Sequence, residues 1–442
     1  MFIRAVVALV LASLSCVGRT AEPSTTQYKH LGVATCGSGI CHGKDKPQPE
    51  RDVVLLNESR TWQYCDDHSK AFKALSSTQS QAIAAKLGIP SAAAANLCLD
   101  CHADNIPKTM QGPKFQLSDG IGCEACHGGA EKWIETHKQK TVSHGDNVAA
   151  GMYPSEQPLR RAELCLSCHM GTRDKFATHM IMGAGHPRLV FELQAYAFNQ
   201  PAHVQVESAS GNGECVRRKD RVADLRYHVE DMNLWVAGQI ENARRYLELL
   251  QSRMPVSGSF LPDLALYDCF SCHHPIDKDK QRWSRARAGA GIQPGTLRLQ
   301  KHHLVMLQAI TEALAPDSLN ELVSATDGLV RAGQIDVAST QAAAQKLHAW
   351  IDAHQEWASR KYSKEEIAKV RRTVIRYAAE DKASDYMAAE QVVIGIDSLS
   401  DAYGDHAGRK SALDALYNVV NKPSAFDPGQ FKAAAGKLLS QF

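Results

Sequence analysis

The chain has no apolar run long enough to cross a bilayer, the longest being the 12 residues 5–16, so no membrane-spanning helix is expected. It also lacks an excess of either charge. Its 50 Lys and Arg stand against 48 Asp and Glu, so the formal charge of +2 gives no footing for nucleic acid or an anionic membrane surface. Strand signals are sparse, and 44% hydrophobic residues exclude a disordered chain. What remains is a mainly α protein of 442 residues, long enough for two or three cores.

Arg4 followed by the run "AVVALVLASLSC" (residues 5–16) reads as a secretory leader, with residues 1–21 as the signal peptide. A lipid anchor on Cys16 is disfavoured, because Ser13 stands where such signals carry a large apolar residue. Cys16 leaves with the leader, and an exported chain with the remaining twelve cysteines ordinarily suggests a disulfide framework.

The spacing argues otherwise. Four runs read "CLDCH" (Cys98, Cys101, His102), "CEACH" (Cys123, Cys126, His127), "CLSCH" (Cys165, Cys168, His169) and "CFSCH" (Cys269, Cys272, His273). In C-x-x-C-H the two thiols form thioethers with haem vinyl groups, and the next residue offers its imidazole to the iron. Neither a disulfide scaffold nor a structural zinc site needs a histidine after every second cysteine. A fifth run, "CGSGICH", has four residues between Cys36 and Cys41 yet ends in His42 in the same way, and Gly37 and Gly39 allow the longer loop to bulge out. It is read as a fifth attachment site, so about five covalent haem c groups are expected. Two cysteines are left over. Cys65 and Cys215 pair with each other in one reading, and in another Cys65 is a thiolate ligand to iron.

Five attachment runs between Cys36 and His273 leave too little protein to wrap each macrocycle separately, so closely stacked haems are expected. Whether they only carry electrons depends on the sixth iron position. A second histidine fills it, whereas an open one admits a substrate. Further histidines are plentiful, and the sequence names no catalytic residue. Met180 and Met182 read as packing residues ahead of axial thioethers.

The pieces "HLGVATCGSGICHG", Trp62 with His68 six residues on, "GIGCEACHGGAEKWIETH", "CLSCHMG", "HMIMGAGHPRLVFEL" and the "PAH" ending at His203 come in an order that resembles the cytochrome c-554 family of multihaem c-type cytochromes, over roughly residues 28–275. The resemblance implies mostly bis-histidine haems on a helical scaffold and periplasmic electron transfer with redox partner proteins in the periplasm or membrane. It carries distal-ligand roles over to His68, His137, His179 and His186. For the fifth distal role His203 is ranked ahead of His30 and His228. The family's better-known member has four haems, whereas this chain has five attachment runs and a long tail.

The cytochrome part is taken as residues 28–275, with a long helical insertion at about 219–254. There Val236, Ile240, Ala243, Leu247 and Leu250 form one apolar stripe, and the charged opposite face is expected to be wet. A basic, Gly-rich linker spans 276–297. Its Lys278, Lys280, Arg282, Arg285 and Arg287 either pair with haem propionates or an acidic partner, or are simply solvated. Residues 298–442 contain no cysteine and read as a haem-free helical bundle of three to five helices. Ser363 with Glu366 and Asp427 with Pro428 mark helix starts, and His302 and His303 stand at the entrance, where a reach back to a haem is the disfavoured reading. Oligomeric state is not readable.

Three functions stay open on the sequence: an electron carrier, favoured by the histidine supply; a reductase or oxidase of a small nitrogen or sulfur compound at one open iron; and an assembly in which a histidine such as His30 ligates a neighbouring subunit's haem.

Overall fold

The computed structural model describes residues 24–46, 54–201, 226–254, 262–273 and 296–442. The leader with Cys16, His203, Cys215 and nearly all of the basic linker lie outside them, as do the side chains of residues 226–231, among them His228.

The described chain is mainly helical and has no sheet; isolated bridges join His30 to Gln111 and Tyr267 to Leu299. Its two ends are built differently. Residues 24–157 form short helices and turns around a small apolar cluster of Leu75, Ala84, Ala92, Leu99 and Ala103. Polar side chains tie this segment together. Buried Glu124 accepts backbone N–H bonds from Leu31 (2.7 Å), Gly32 (2.7 Å) and Ala130 (2.8 Å), fixing the N-terminal stretch of chain against the helix Cys123–His127. Gly32 has a φ of 94°, and a Cβ there would run into the Lys114 carbonyl, so only glycine fits this crossing.

From Ala162 to Leu438 a second apolar core is continuous. Its axis is the helix Arg226–Arg253, which packs on Pro158–His169, Leu193–Asn199, His302–Leu314, Val337–Asp352 and Tyr386–Tyr403. The expected stripe is there: Val236, Ile240, Ala243, Leu247 and Leu250 are all buried. The expected wet face is not. Glu241 is fully buried, and Arg244 and Arg245 are each bonded to both Glu241 and Glu248 at 2.6–2.9 Å. Charges at i, i+3 and i+4 satisfy one another, which lets this face pack against Glu163 and His348 instead of turning to water.

Seven α-helices fill 296–442, more than the three to five expected. Several start where the sequence places caps: Ser363 and Glu366 form a reciprocal capping box, and Asp427 caps Gln430 N ahead of Pro428 at the first helical position. Leu347, Trp350 and Ile351 are buried together, as are Ile367, Val370 and Val374.

Two polar links join these helices to the segment that precedes the long helix. Arg188 makes a two-pronged contact to Glu390 at 2.8 and 2.9 Å. Fully buried Glu192 caps the helix Leu193–Asn199 through Gln194 N and Ala195 N and accepts a 2.7 Å bond from Ser398 Oγ.

Candidate haem-ligand site

The cysteine pairs sit on helical turns. Cys98 and Cys101 are on Asn96–His102, Cys123 and Cys126 on Cys123–His127, and Cys165 and Cys168 on the last turn of Pro158–His169; Cys269 opens a 3₁₀ turn. Three residues apart on a helix, two side chains share a face. Cys36 ends the short helix Val33–Cys36, and the four-residue loop to Cys41 bulges outward with Ile40 88% exposed. The His42 N–H returns to the Cys36 carbonyl at 3.1 Å, as the His273 N–H reaches the Cys269 carbonyl at 2.8 Å. The longer loop therefore ends with its histidine in the same relation to its first cysteine.

Burial keeps several of these cysteines protonated. It pushes the Cys126 thiol up to about 12 and Cys165 to about 11, and contact with Cys123 together with burial raises Cys36. The contact between Cys36 and Cys123, and a like one between Cys101 and Cys168, brings separate runs side by side.

Four motif histidines each face one of the histidines singled out as a distal partner. Ring centres lie 6.3 Å apart for His42 and His137, 6.1 Å for His68 and His169, 6.3 Å for His102 and His186, and 6.1 Å for His179 and His273. Two metal–imidazole bonds of about 2 Å, plus roughly 1 Å from each ring centre to its nitrogen, come to about 6 Å. These separations are too long for a direct hydrogen bond between the rings and match one metal ion between two imidazoles.

The outer nitrogens agree. Nδ1 is bonded to Glu58 Oε2 (2.8 Å) in His42, Asp66 Oδ1 (2.8 Å) in His68, the Ala71 carbonyl (3.2 Å) in His102, the Ile134 carbonyl (2.8 Å) in His137 and the Pro187 carbonyl (2.8 Å) in His186. An acceptor at Nδ1 fixes the ring and leaves Nε2 with its lone pair for a metal. The carboxylates of Glu58 and Asp66 raise the pKa of His42 and His68, whereas burial lowers His102 and His137 and takes His169 to about 4. The donor set fits haem iron held from both sides.

His127 ends its helix, and its carbonyl accepts the Tyr153 N–H at 2.8 Å. His203, the partner ranked first for it, is outside the described residues, and so is the suggested pairing of Cys65 with Cys215. Two other expectations are corrected. Cys65 is disulfide-bonded, so it is not a thiolate ligand. His30 is fully buried with Nδ1 on Asp104 (2.6 Å) and Nε2 on the Thr25 carbonyl (2.7 Å), so no ring nitrogen is left for an iron of its own or another subunit. Met180, read as a packing residue, is 69% exposed.

The sequence did not point to Glu58, which lies sixteen residues from His42. Asp66, two residues before His68, and the carbonyl of Pro187, next to His186, were the readable signals.

Among the described residues no helix is long and apolar enough to cross a membrane. No curated protein and no solved structure matches the chain. Residues 34–128, which hold three of the five cysteine runs and His68, match the family model of cytochrome c554 and c-prime. Over this segment the chain is similar to the cytochrome c554 family, and the match supports a c-type cytochrome domain that carries electrons on covalently bound haem c.

Proposed function

We propose that the protein is an exported, periplasmic multihaem cytochrome that passes electrons along about five haems, with residues 1–21 as its signal peptide. The haems are anchored at Cys36/Cys41, Cys98/Cys101, Cys123/Cys126, Cys165/Cys168 and Cys269/Cys272. His42, His102, His127, His169 and His273 are the proximal ligands. His137, His186, His68 and His179 are the distal ligands opposite His42, His102, His169 and His273, and His203 serves His127. Residues 28–275 form the cytochrome part and 298–442 a module without its own haem.

The observation that carries this reading is the set of four facing histidine pairs at 6.1–6.3 Å. Bound haem supplies reversible one-electron exchange at iron. The chain's own residues close both axial positions, and Glu58 and Asp66 raise the basicity of His42 and His68. The side-by-side cysteine runs support close stacking of neighbouring macrocycles. Electrons then enter from one redox partner protein and leave to another.

Electron paramagnetic resonance of the oxidised holoprotein tests the reading, with the high-spin ferric signal quantified against total haem. The expected spectrum is low-spin throughout. A high-spin share near one haem in five would replace the carrier with an enzyme acting at one open iron.

A further inference from the structure

One cavity lies where the motif-bearing chain meets the C-terminal helices. His169, Cys269, Phe176 and Met182 line it from one side, and His302, His303 and Met387 from the other. His302 and His303 open the helix His302–Leu314 and are 5% and 8% exposed, with ring centres 3.7 Å apart. Among the described residues Nδ1 of each has no hydrogen-bond partner, and neither has Nδ2 of Asn242, a 2% exposed residue of the long helix, nor Oε1 of Gln391, both on the same cavity.

A buried donor left unpaired is costly, and proteins seldom keep one without a reason. With both imidazoles in the Nδ1–H tautomer, they and the Asn242 amide give three donors around the cavity that call for an acceptor inside it. Arg188 lines the cavity as well, paired with Glu390, and keeps further guanidinium N–H donors beyond the nitrogen that bonds Glu390. A carboxylate is the acceptor that suits two imidazole N–H groups, an amide N–H and a guanidinium. The walls carry an attachment cysteine, Cys269, and a motif histidine, His169, and each haem c brings two carboxylates on the macrocycle that these residues hold.

We infer that His302, His303 and Asn242 form a carboxylate cradle, supplied by the C-terminal module together with the long helix, for a propionate of a haem whose attachment motif lines this cavity. The inference rests on the carrier reading above. It makes the haem-free module a regulator of the redox chain, because neutralising a propionate sets the reduction potential of one haem. A carboxylate without its donors stabilises ferric iron, so losing the cradle lowers that potential.

The test is a redox titration of holoprotein carrying His302→Leu or His303→Leu, beside His302→Asn and His303→Asn, whose amide nitrogen replaces Nδ1. Haem content from the pyridine haemochrome and the low-spin signal are recorded on every sample, and they report the carrier reading independently. The expected result is full haem content and one reduction step displaced downward in the Leu variants, tenfold in its equilibrium constant or about 59 mV for a one-electron couple. In the Asn variants that step returns toward wild type. Leu variants that titrate like wild type overturn the inference. So do Asn variants shifted as far as Leu, because the role is then packing. Acetate titrated into wild type tells a bound propionate from an anion taken from solution: no change is expected, and a saturable shift that the Leu variants lose overturns the haem as the source.

Discussion

The backbone N–H of His42 donates to the carbonyl of Cys36 at 3.1 Å, closing a loop two residues longer than in the other four cysteine runs. The equivalent bond from His273 to Cys269 is 2.8 Å. Attachment chemistry needs the thiols and the imidazole in fixed relation and is indifferent to how many residues bulge between them. Intact mass spectrometry of the holoprotein is therefore expected to show about five haems, and Cys36→Ala with Cys41→Ala to show one fewer. A wild-type mass with only four would return this loop to an ordinary turn.

Each facing pair makes its own prediction. In His137→Ala the His42 iron loses its partner, so one haem turns high-spin and binds carbon monoxide when reduced, while the others stay as they were. Optical titration with carbon monoxide reads this directly. An unchanged low-spin spectrum would mean that the 6.3 Å approach of His42 and His137 is packing without ligation.

Glu58 should tune rather than hold. Its 2.8 Å bond to His42 Nδ1 makes the imidazole a stronger electron donor, which favours ferric iron. Glu58→Gln is expected to raise the potential of one step by roughly 30–60 mV, up to about a tenfold change for a one-electron couple, with the spin state unchanged. Stepwise titration followed in the visible bands checks it.

Glu192 gives a pH dependence that involves no metal ligand. Burial pushes its carboxyl up to about 7. The folded state then holds a proton that the unfolded chain has released, so the contribution is complete below about 4.5 and is lost as pH rises through 7. Unfolding midpoints should fall across that window, by up to roughly 3 kcal/mol in stability. In Glu192→Gln the fall should flatten, and a parallel pH profile would show that the carboxyl is already ionised.

Leu247 is fully buried in the C-terminal half of the long helix, in the core that runs from Ala162 to Leu438. Leu247→Ala is expected to cost about 2–5 kcal/mol. Because that core is continuous, calorimetry should show the whole region melting in one lowered transition. A separate unshifted transition for the C-terminal helices would mean that they form an independent unit.

Much of the site was legible because its signals are local. C-x-x-C-H places two thiols and an imidazole within one helical turn, and the order of motifs pointed to His68, His137, His179 and His186, which now face His169, His42, His273 and His102. Which histidine meets which was not legible, because each pair joins segments far apart in the chain. Glu58 was hidden for the same reason. The long helix was legible on its apolar side only: Glu241, Arg244, Arg245 and Glu248 read as solvent-seeking one by one, whereas as a mutually bonded set they can be buried. The helix starts at Ser363 and Asp427 were readable because a cap is written within three residues of the turn it closes.

The uneven distribution of apolar packing bears on how the molecule comes into being. The helices from Ala162 onward bury a core made of their own side chains, whereas the segment 24–157 has one small apolar cluster and relies on polar ties such as Glu124 and His30. The first can collapse as soon as it is synthesised; the second has little to collapse around until its cofactors are attached.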